Sequence, residues 1–541
     1  MTQSQRPATI VLRNGKVLTV DASFRIAEAI AIEGDRIVSV GSDADVDRWT
    51  GAETQVIDLE GRTVVPGLVD SHIHMRSNAA SQFSLPFDDA TCIADMKKLI
   101  AAQANAVPTG TWITGSSGWH HNQLSEKRLP NRHDIDDVSP QHPVQFMRNG
   151  HITIANSLAL KLAGITAETP DPEGGKFGRD ADGSPNGILY EAAAWGRMRA
   201  LLPPFPPAQW AQGLENFARK LNACGITATL EPGLLPDEIA GFMELWRQGR
   251  MTTRAHILRR FKTATDARSM AMLAPNFGDD WLKFGGFKFS MDGSTEQACL
   301  SEPYETAPDN ESPGYHGRMI LPQGGLDELR EMFRIAASQG WPVQVHALGD
   351  ETIRVLLDLF EDVNEEYPIA DLRWALLHAF LPSSEAIQRM KQLGIFVTVQ
   401  NQMVKVGPTM NRFWGACRTD QAVPLRSMLA AGIPIGAGTD SPVVSYNPFE
   451  CIWWMVTRKT LTGAVYGKHE AIDRETALRL YTIDSARVMF WEDKIGSLEV
   501  GKLADIAVLS DDYLRIEKDE IRNLTALLTI VGGKVVHDVL S

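Results

Sequence analysis

Four short apolar runs in this chain each stop at a side chain able to bind a metal ion. Val64-Val65-Pro66-Gly67-Leu68-Val69-Asp70 leads into Ser71-His72-Ile73-His74, Val343-Gln344-Val345 ends in His346, Trp374-Ala375-Leu376-Leu377 ends in His378, and Ile433-Pro434-Ile435-Gly436-Ala437-Gly438-Thr439 runs up to Asp440. Residues two apart in a strand face the same way, so His72 and His74 are expected to present both imidazoles from one face. Standing alone, a His-x-His pair is an ordinary occurrence. Its recurrence with single histidines and an aspartate at the ends of other apolar runs restricts the fold to one that gathers strand ends.

The middle of the chain alternates strand-like and helical stretches, which argues for parallel strands linked by crossover helices. Strands are expected at Val64 to Asp70, Ile226 to Glu231, Arg254 to Arg259, Gly286 to Ser290, Pro342 to His346, Leu372 to His378, Ile395 to Gln400 and Ile433 to Gly438. Helices are expected at Leu326 to Gln339, Glu351 to Asn364 and Ser384 to Leu393, each bounded by Gly or Pro signals. Eight such units fit an α/β fold, the (β/α)8 TIM barrel, whose chemistry sits at the carboxyl ends of its strands. His72, His74, His346, His378 and Asp440 all fall there.

Both ends of the chain read differently. Thr9 to Leu12, Lys16 to Val20, Ala27 to Glu33, Arg36 to Val40 and Val56 to Leu59 are short strands, and so are Asp505 to Leu509, Leu524 to Val531 and Lys534 to His537. Residues 1–63 and 491–541 are therefore expected to form one small β-sandwich domain around a barrel spanning 64–490. Between the first two barrel strands, residues 76–200 are far too long for a connection and are expected to cap the barrel mouth with structure of their own. Within them, Gly174 to Ile188 reads as a hairpin with turns at Asp182-Gly183 and Asn186-Gly187. Asp180, Asp182, Ser184 and Glu191 have the spacing of a calcium loop, but Pro185 occupies the position that needs glycine, so that reading is set aside.

Composition excludes more than it selects. Of 541 residues, 53 are Lys or Arg and 67 Asp or Glu, and the net charge of −14 disfavours nucleic acid and anionic membrane as partners. No apolar stretch is long enough to span a bilayer, and Met1 to Pro7 lack the apolar segment of a secretory signal, so a cytoplasmic location is expected. Cys92, Cys224, Cys299, Cys417 and Cys451 are an odd number without a Cys-x-x-Cys pair, which points to buried reduced thiols rather than disulfides or a thiolate zinc site.

Val65-Pro66-Gly67-Leu68-Val69-Asp70-Ser71-His72-Ile73-His74 together with Gly438-Thr439-Asp440-Ser441-Pro442 resembles the metal-dependent amidohydrolase superfamily. Pro140-Gln141-His142-Pro143-Val144, Asn156 to Leu160, Phe287 to Gly293, Val345 to Asp350 and Gly496 to Asp505 are similar to its amidohydrolase-3 branch, which includes N-substituted formamide deformylases. The resemblance implies that His72, His74 and Asp440 hold one divalent metal and that His346 and His378 hold a second. It also implies that Lys288 is an N6-carboxylysine bridging the two. A free ammonium cannot ligate a cation, whereas carbon dioxide added to it makes an anionic oxygen donor. Without that modification, Lys288 is expected to pair with Asp292 or Glu191. The chain has Thr439 where relatives often have Ser, and Glu231 where an Asp is common after the second strand.

Imidazole and carboxylate donors without thiolate suit zinc, in one or two ions, though manganese or iron fits too. The expected reaction is hydrolysis of an amide or N-formyl carbon–nitrogen bond in a small molecule. Asp440 and His378 are the catalytic residues, and Asp440 moves the proton from water to the leaving nitrogen. Ester hydrolysis, decarboxylation, isomerisation and a non-catalytic metal-binding role are the alternatives. Trp119, His120, Arg148 and His151, all within the inserted region, are the expected substrate-binding residues. A homodimer is a family-level expectation.

Overall fold

The computed structural model describes residues 6–148, 151–172, 174–261, 263–270, 274–308 and 311–540. Met1 to Gln5, and the Asn149-Gly150 pair between Arg148 and His151, lie outside the described residues. Eight parallel strands form the central sheet: β1 (Leu68–Asp70), β2 (Ile226–Leu234), β3 (Arg254–Arg260), β4 (Leu282–Ser290), β5 (Val343–Ala347), β6 (Ala375–His378), β7 (Phe396–Gln400) and β8 (Ile435–Gly438). Each pairs with the next in chain order. The sheet curls until β8 meets β1, where Ser71 N–H donates to Ala437 O at 3.0 Å and Asp440 N–H to His72 O at 2.7 Å. The barrel is thus nearly closed, and its carboxyl ends face one mouth.

Helices cover the outside because their apolar residues recur on one face. In Gly325–Ser338, which connects β4 to β5, Leu329, Met332, Phe333 and Ala336 are buried at spacings of three and four. Phe333 packs edge-on against Phe289 of β4, with ring centroids 5.2 Å apart. Full burial of such a side chain contributes roughly 1.5–3 kcal/mol.

The expected first strand, Val64 to Asp70, is in fact two. Thr63–Pro66 belongs to a six-stranded sheet with Lys16–Leu18, Ile26–Ala27, Ile506–Leu509, Ala526–Val531 and Lys534–Asp538. At Gly67 the chain leaves that sheet: its N–H donates to Asp505 O at 2.8 Å, and the next N–H, of Leu68, to Gly225 O at 2.9 Å. Both halves are buried, so a continuous apolar run conceals the change of sheet. The expected strand Ala27 to Glu33 divides in the same way, with Ala29–Glu33 joining a four-stranded sheet of Arg36–Gly41, Ile10–Arg13 and Gln55–Asp58. Ile10, Leu12, Ile30 and Ile32 of this sheet share a core with Val64, Ile506, Val508 and Ile530 of the other, so both chain ends build one sandwich.

The inserted region contains a five-stranded sheet in the order Lys176–Arg179, Pro185–Tyr190, Ile152–Ala155, Val144–Arg148, Ile113–Gly115. The turn at Asp182-Gly183 is present, with Gly183 N–H donating to Asp180 O at 2.9 Å. Asn186-Gly187 is not a turn but lies inside Pro185–Tyr190, beside a register shift. Asp180 accepts from Arg132 Nη2 at 2.9 Å and is 2.8 Å from His133 Nε2, so a guanidinium and an imidazole stand where a calcium loop needs the ion. The five cysteines are unpaired, but only Cys451 is buried and Cys417 is exposed, which corrects the expectation of general burial. Among the described residues no helix is long and apolar enough to cross a membrane.

Candidate metal centre

At the barrel mouth the side chains from four strand ends converge. Strand β1 stops at Asp70, so His72 and His74 are not strand residues, and their common orientation has a different cause from the expected one. Main-chain bonds hold the segment extended between its neighbours: Ile73 N–H donates to Leu230 O on one side, and His74 N–H to Ser441 O on the other. Asp70 fixes the base of this arrangement by accepting from His72 N, Thr439 N and Thr439 Oγ1. Gly438 permits the approach, because a Cβ there would stand 2.5 Å from His72 N.

The outcome is that His72 Nε2 and His74 Nε2 meet the same oxygen, Asp440 Oδ1, at 3.2 and 3.0 Å. One donor atom each from His72, His378 and Asp440 lies within 4.8 Å of the others. The His378 ring stands 5.0 Å from His72 and 4.6 Å from His346, centroid to centroid. His378 and Asp440 both adopt left-handed backbone, at φ 76° and 55°, which costs non-glycine residues of order 1–3 kcal/mol each and is sustained only by the surrounding bonds.

Partners beyond the cluster set which nitrogens remain available. His378 Nδ1 lies 2.6 Å from Gln400 Oε1 and 2.9 Å from Gln402 Nε2; the tautomer that donates Nδ1–H to the Gln400 oxygen is the one that leaves Nε2 with its lone pair. His346 Nε2–H donates to Gly293 O at 3.0 Å, leaving Nδ1. Gln402 Nε2 donates to Asp440 Oδ2 at 2.8 Å and fixes the carboxylate plane. The buried Nδ1 atoms of His72 and His74 have no hydrogen-bond partner in the described residues. Several buried imidazoles and a carboxylate that leave donor atoms unmatched are the donor set a divalent ion requires.

Electrostatics keep most of these groups in their ligand forms. Burial lowers His72 to about 4 against the pull of Asp440, and it lowers His346 and His378 well below the ordinary range. Burial opposes protonation of His74 as well, but its hydrogen bond to Asp440 and the nearby charges of Asp440 and Glu231 outweigh it and raise the pKa. Burial alone would raise Asp440, yet its bonds to His72 and His74 hold it far below the usual carboxylate range. Glu231, on β2, is fully buried; one oxygen is 3.7 Å from His74 Nδ1 and the other accepts Arg76 N–H at 2.9 Å.

Lys288 is 3 % exposed on β4 and opposite Arg260 of β3 in register. Burial pushes its amine well below the usual range, and the Arg260 charge adds to the shift. Neither expected partner takes its charge. Asp292 accepts from Leu348 N, Gly349 N and Thr352 Oγ1, and Glu191 binds His151 Nδ1 at 2.9 and 3.1 Å. Lys288 makes no ion pair among the described residues, although its charge reaches His72, His346 and His378.

The four expected substrate-binding residues separate. Trp119 is a correction: it is fully buried in the core of the inserted region, its indole N–H donating to Met147 O at 3.0 Å, because an aromatic ring beside Phe146 packs better than it stands in water. His120 is buried as well, with Nδ1 accepting from Asn122 N–H and Nε2 3.0 Å from Arg148 Nη1. Arg148 pairs with Glu296 at 3.0 Å. His151 alone reaches the cluster, with its ring 5.7 Å from that of His346. Sequence reasoning passed over Gln400, Gln402 and Asp70. Gln400 was within reach, since it too ends an apolar strand.

Comparison with known proteins gives the same picture at the level of the whole chain. The N-substituted formamide deformylase of Arthrobacter pascens is 29% identical over 540 residues, 97% of each chain. Crystal structures of uncharacterized metal-dependent hydrolases from Pyrococcus horikoshii OT3 and Pyrococcus furiosus share the fold. Their TM-scores are 0.74 and 0.72 at 22% and 25% identity, and the matches cover 94% of this chain and 99% and 100% of theirs. The model of the amidohydrolase family matches residues 55–537. With a barrel mouth that gathers His72, His74, His346, His378 and Asp440, the chain belongs to the amidohydrolase family.

Proposed function

We propose that this centre hydrolyses an amide or N-formyl carbon–nitrogen bond, other than a peptide bond, in a small molecule. The observation that carries the reading is the convergence of His72 and His74 on one oxygen of Asp440 with His378 in reach. His72, His74 and Asp440 would hold one divalent ion, and His346 and His378 a second; nitrogen and oxygen donors without thiolate favour zinc. Such ions bring the pKa of a bound water from 15.7 to roughly 7 and polarise a carbonyl oxygen. Lys288, as its carbamate, would supply a further oxygen donor to such ions. The register partner Arg260 supports this, because it repels an ammonium and attracts a carbamate.

Asp440 takes the proton of the attacking water on Oδ2, which keeps a lone pair after accepting Gln402 Nε2–H. It then delivers the proton to the leaving nitrogen, which departs as an amine. Gln400 holds the His378 tautomer throughout. Glu191 holds His151 by Nδ1 and leaves its Nε2 for a polar group of the substrate. The relative named as a formamide deformylase supports an N-formyl substrate.

Metal analysis of the purified protein combined with amine release from a panel of N-formyl, N-acyl and carbamate compounds tests the reading. Bound divalent metal and amine release from at least one class are expected. A metal-loaded protein that cleaves none of them, but does cleave an ester, sinks it.

A further inference from the structure

A cavity of about 390 Å³ lies between the inserted region and the helix Met403–Trp414 that follows β7. Lys127, Arg128 and Arg148 line it from the inserted side, and Lys405 and Arg412 from the helix. Glu296 and Glu311 are the carboxylates on its wall. The whole chain carries 67 acidic against 53 basic residues, so this cavity inverts the balance of the protein around it.

Part of that charge is already matched. Arg148 pairs with Glu296, Arg128 makes two 2.8 Å bonds to Asp134, and Glu311 takes both Lys176 and Arg318. Two ammonium groups are not matched in this way. Lys127 donates to Asn122 O at 2.6 Å and Lys405 to Gly118 O at 3.2 Å, each a neutral carbonyl, and neither lysine is in an ion pair among the described residues. An ammonium has three donors, so each keeps two that no described protein atom accepts. Lys405 is half-buried, with the carboxylates of Glu450 and Asp88 acting on its charge from beyond ion-pair distance, so a bound anion would take up the donors that these do not reach.

The cavity adjoins the metal centre. Gln297 lines it and stacks over Gly293, where a Cβ would be 3.0 Å from the Gln297 Cβ, and Gly293 O is the acceptor for His346 Nε2. Tyr190 lines it too, next to Glu191, which holds His151. Gln297 and Tyr190 are thus a wall common to the cationic cavity and to the residues that hold His346 and His151.

On the reading of the centre as a carbon–nitrogen hydrolase, we infer that the substrate carries an anionic group, a carboxylate or a phosphate-like acid, remote from the scissile bond and bound in this cavity by Lys405. The charge of the chamber also concentrates anions at the mouth.

Three probes test this with the metal-loaded full chain: N-formyl-4-(aminomethyl)benzoate, its methyl ester, and the compound with phosphonate in place of carboxylate. Amine release gives kcat/KM, and calorimetry gives affinity. The acid is expected to exceed the ester by about ten- to hundredfold, the effect of a charge-assisted bond in a half-buried site. In K405Q this acid-to-ester ratio is expected to fall below about threefold. The phosphonate exceeding the carboxylate assigns the site to phosphate-like acids, and the reverse order to carboxylates. Equal use of acid and ester overturns the inference, as does a ratio unchanged in K405Q and in R412Q, or failure of all three compounds to bind. If no amine is released but the acid still binds more tightly than the ester, the hydrolytic reading fails and the cavity assignment stands.

Discussion

The barrel buries charge at both ends and treats it in opposite ways. Where β3 begins, against the sandwich, Arg254 gives Nε and Nη2 to the two oxygens of Asp505 at 2.8 Å and Nη1 to Asp280 O, and Asp505 also accepts Gly532 N–H. That pair is closed: its strong donors and acceptors find one another. At the mouth, the Nδ1 atoms of His72 and His74 have no partner, two imidazoles crowd one carboxylate oxygen, and Lys288 has no counter-charge within ion-pair distance among the described residues. A closed pair serves the junction between two parts of the fold. An open set serves a ligand that the protein does not itself supply.

Breaking each end should separate activity from stability. Asp440→Asn keeps the volume and the Gln402 contact but removes the proton carrier, so kcat/KM is expected to fall roughly 10²–10⁴-fold with little change in melting temperature. Amine release and a thermal melt check this, and near wild-type turnover refutes the mechanism. At the other end, Arg254→Met strands a buried carboxylate and is expected to cost roughly 3–5 kcal/mol in urea unfolding, while turnover per folded molecule is kept. Replacing both Arg254 and Asp505 by apolar residues should recover most of that loss, and failure to do so shows that the junction needs its charges for more than mutual satisfaction.

Lys288→Met is expected to weaken metal retention about 10–100-fold, measured by dialysis against a chelator with metal analysis. Intact-protein mass before and after mild acid should differ by one carbon dioxide. An unmodified Lys288 in metal-replete protein removes it from the ligand set.

The smallest effect concerns acid. Burial lowers His256, on β3, to about 3, with Lys283 adding to the shift. The unfolded chain takes up a proton near pH 6.5 and the folded chain does not, so stability is full above 6.5 and declines as the pH falls toward 3. The slope is at most about 1.4 kcal/mol per pH unit for one proton. His256→Gln should flatten this part of the melting profile. An unchanged slope assigns the acid sensitivity to other groups, such as His121, which burial and Arg148 also lower to about 3.

Strand and helix positions were legible because their periodicity is a local property. The expected β7, Ile395 to Gln400, and the helix Ser384 to Leu393 agree with the structure to within a residue at each end. What failed were places where a local signal has two tertiary outcomes. Val64 to Asp70 reads as one strand whichever sheet each half joins. Asn186-Gly187 carries turn chemistry that the inserted sheet overrides by pairing Ile188 with Ile154. Trp119 reads equally well as a pocket wall or as core, and only the neighbouring Phe146 and Met147 O decide.

By itself the sequence determined which residues stand at the ends of which strands, because an apolar run and its terminus are written in consecutive positions. It thereby named His72, His74, His346, His378 and Asp440 as a group. Only the tertiary structure decided their relations: that two imidazoles share Asp440 Oδ1, that Gln400 and Gln402 orient the cluster, and that Lys288 lies in register with Arg260 and forms no ion pair with Asp292. It also brought Lys405 and Arg148, more than two hundred and fifty residues apart, to one cavity. Distances between side chains depend on how the sheet closes and how the insertion folds over it, and both are set by long-range packing that no local pattern encodes.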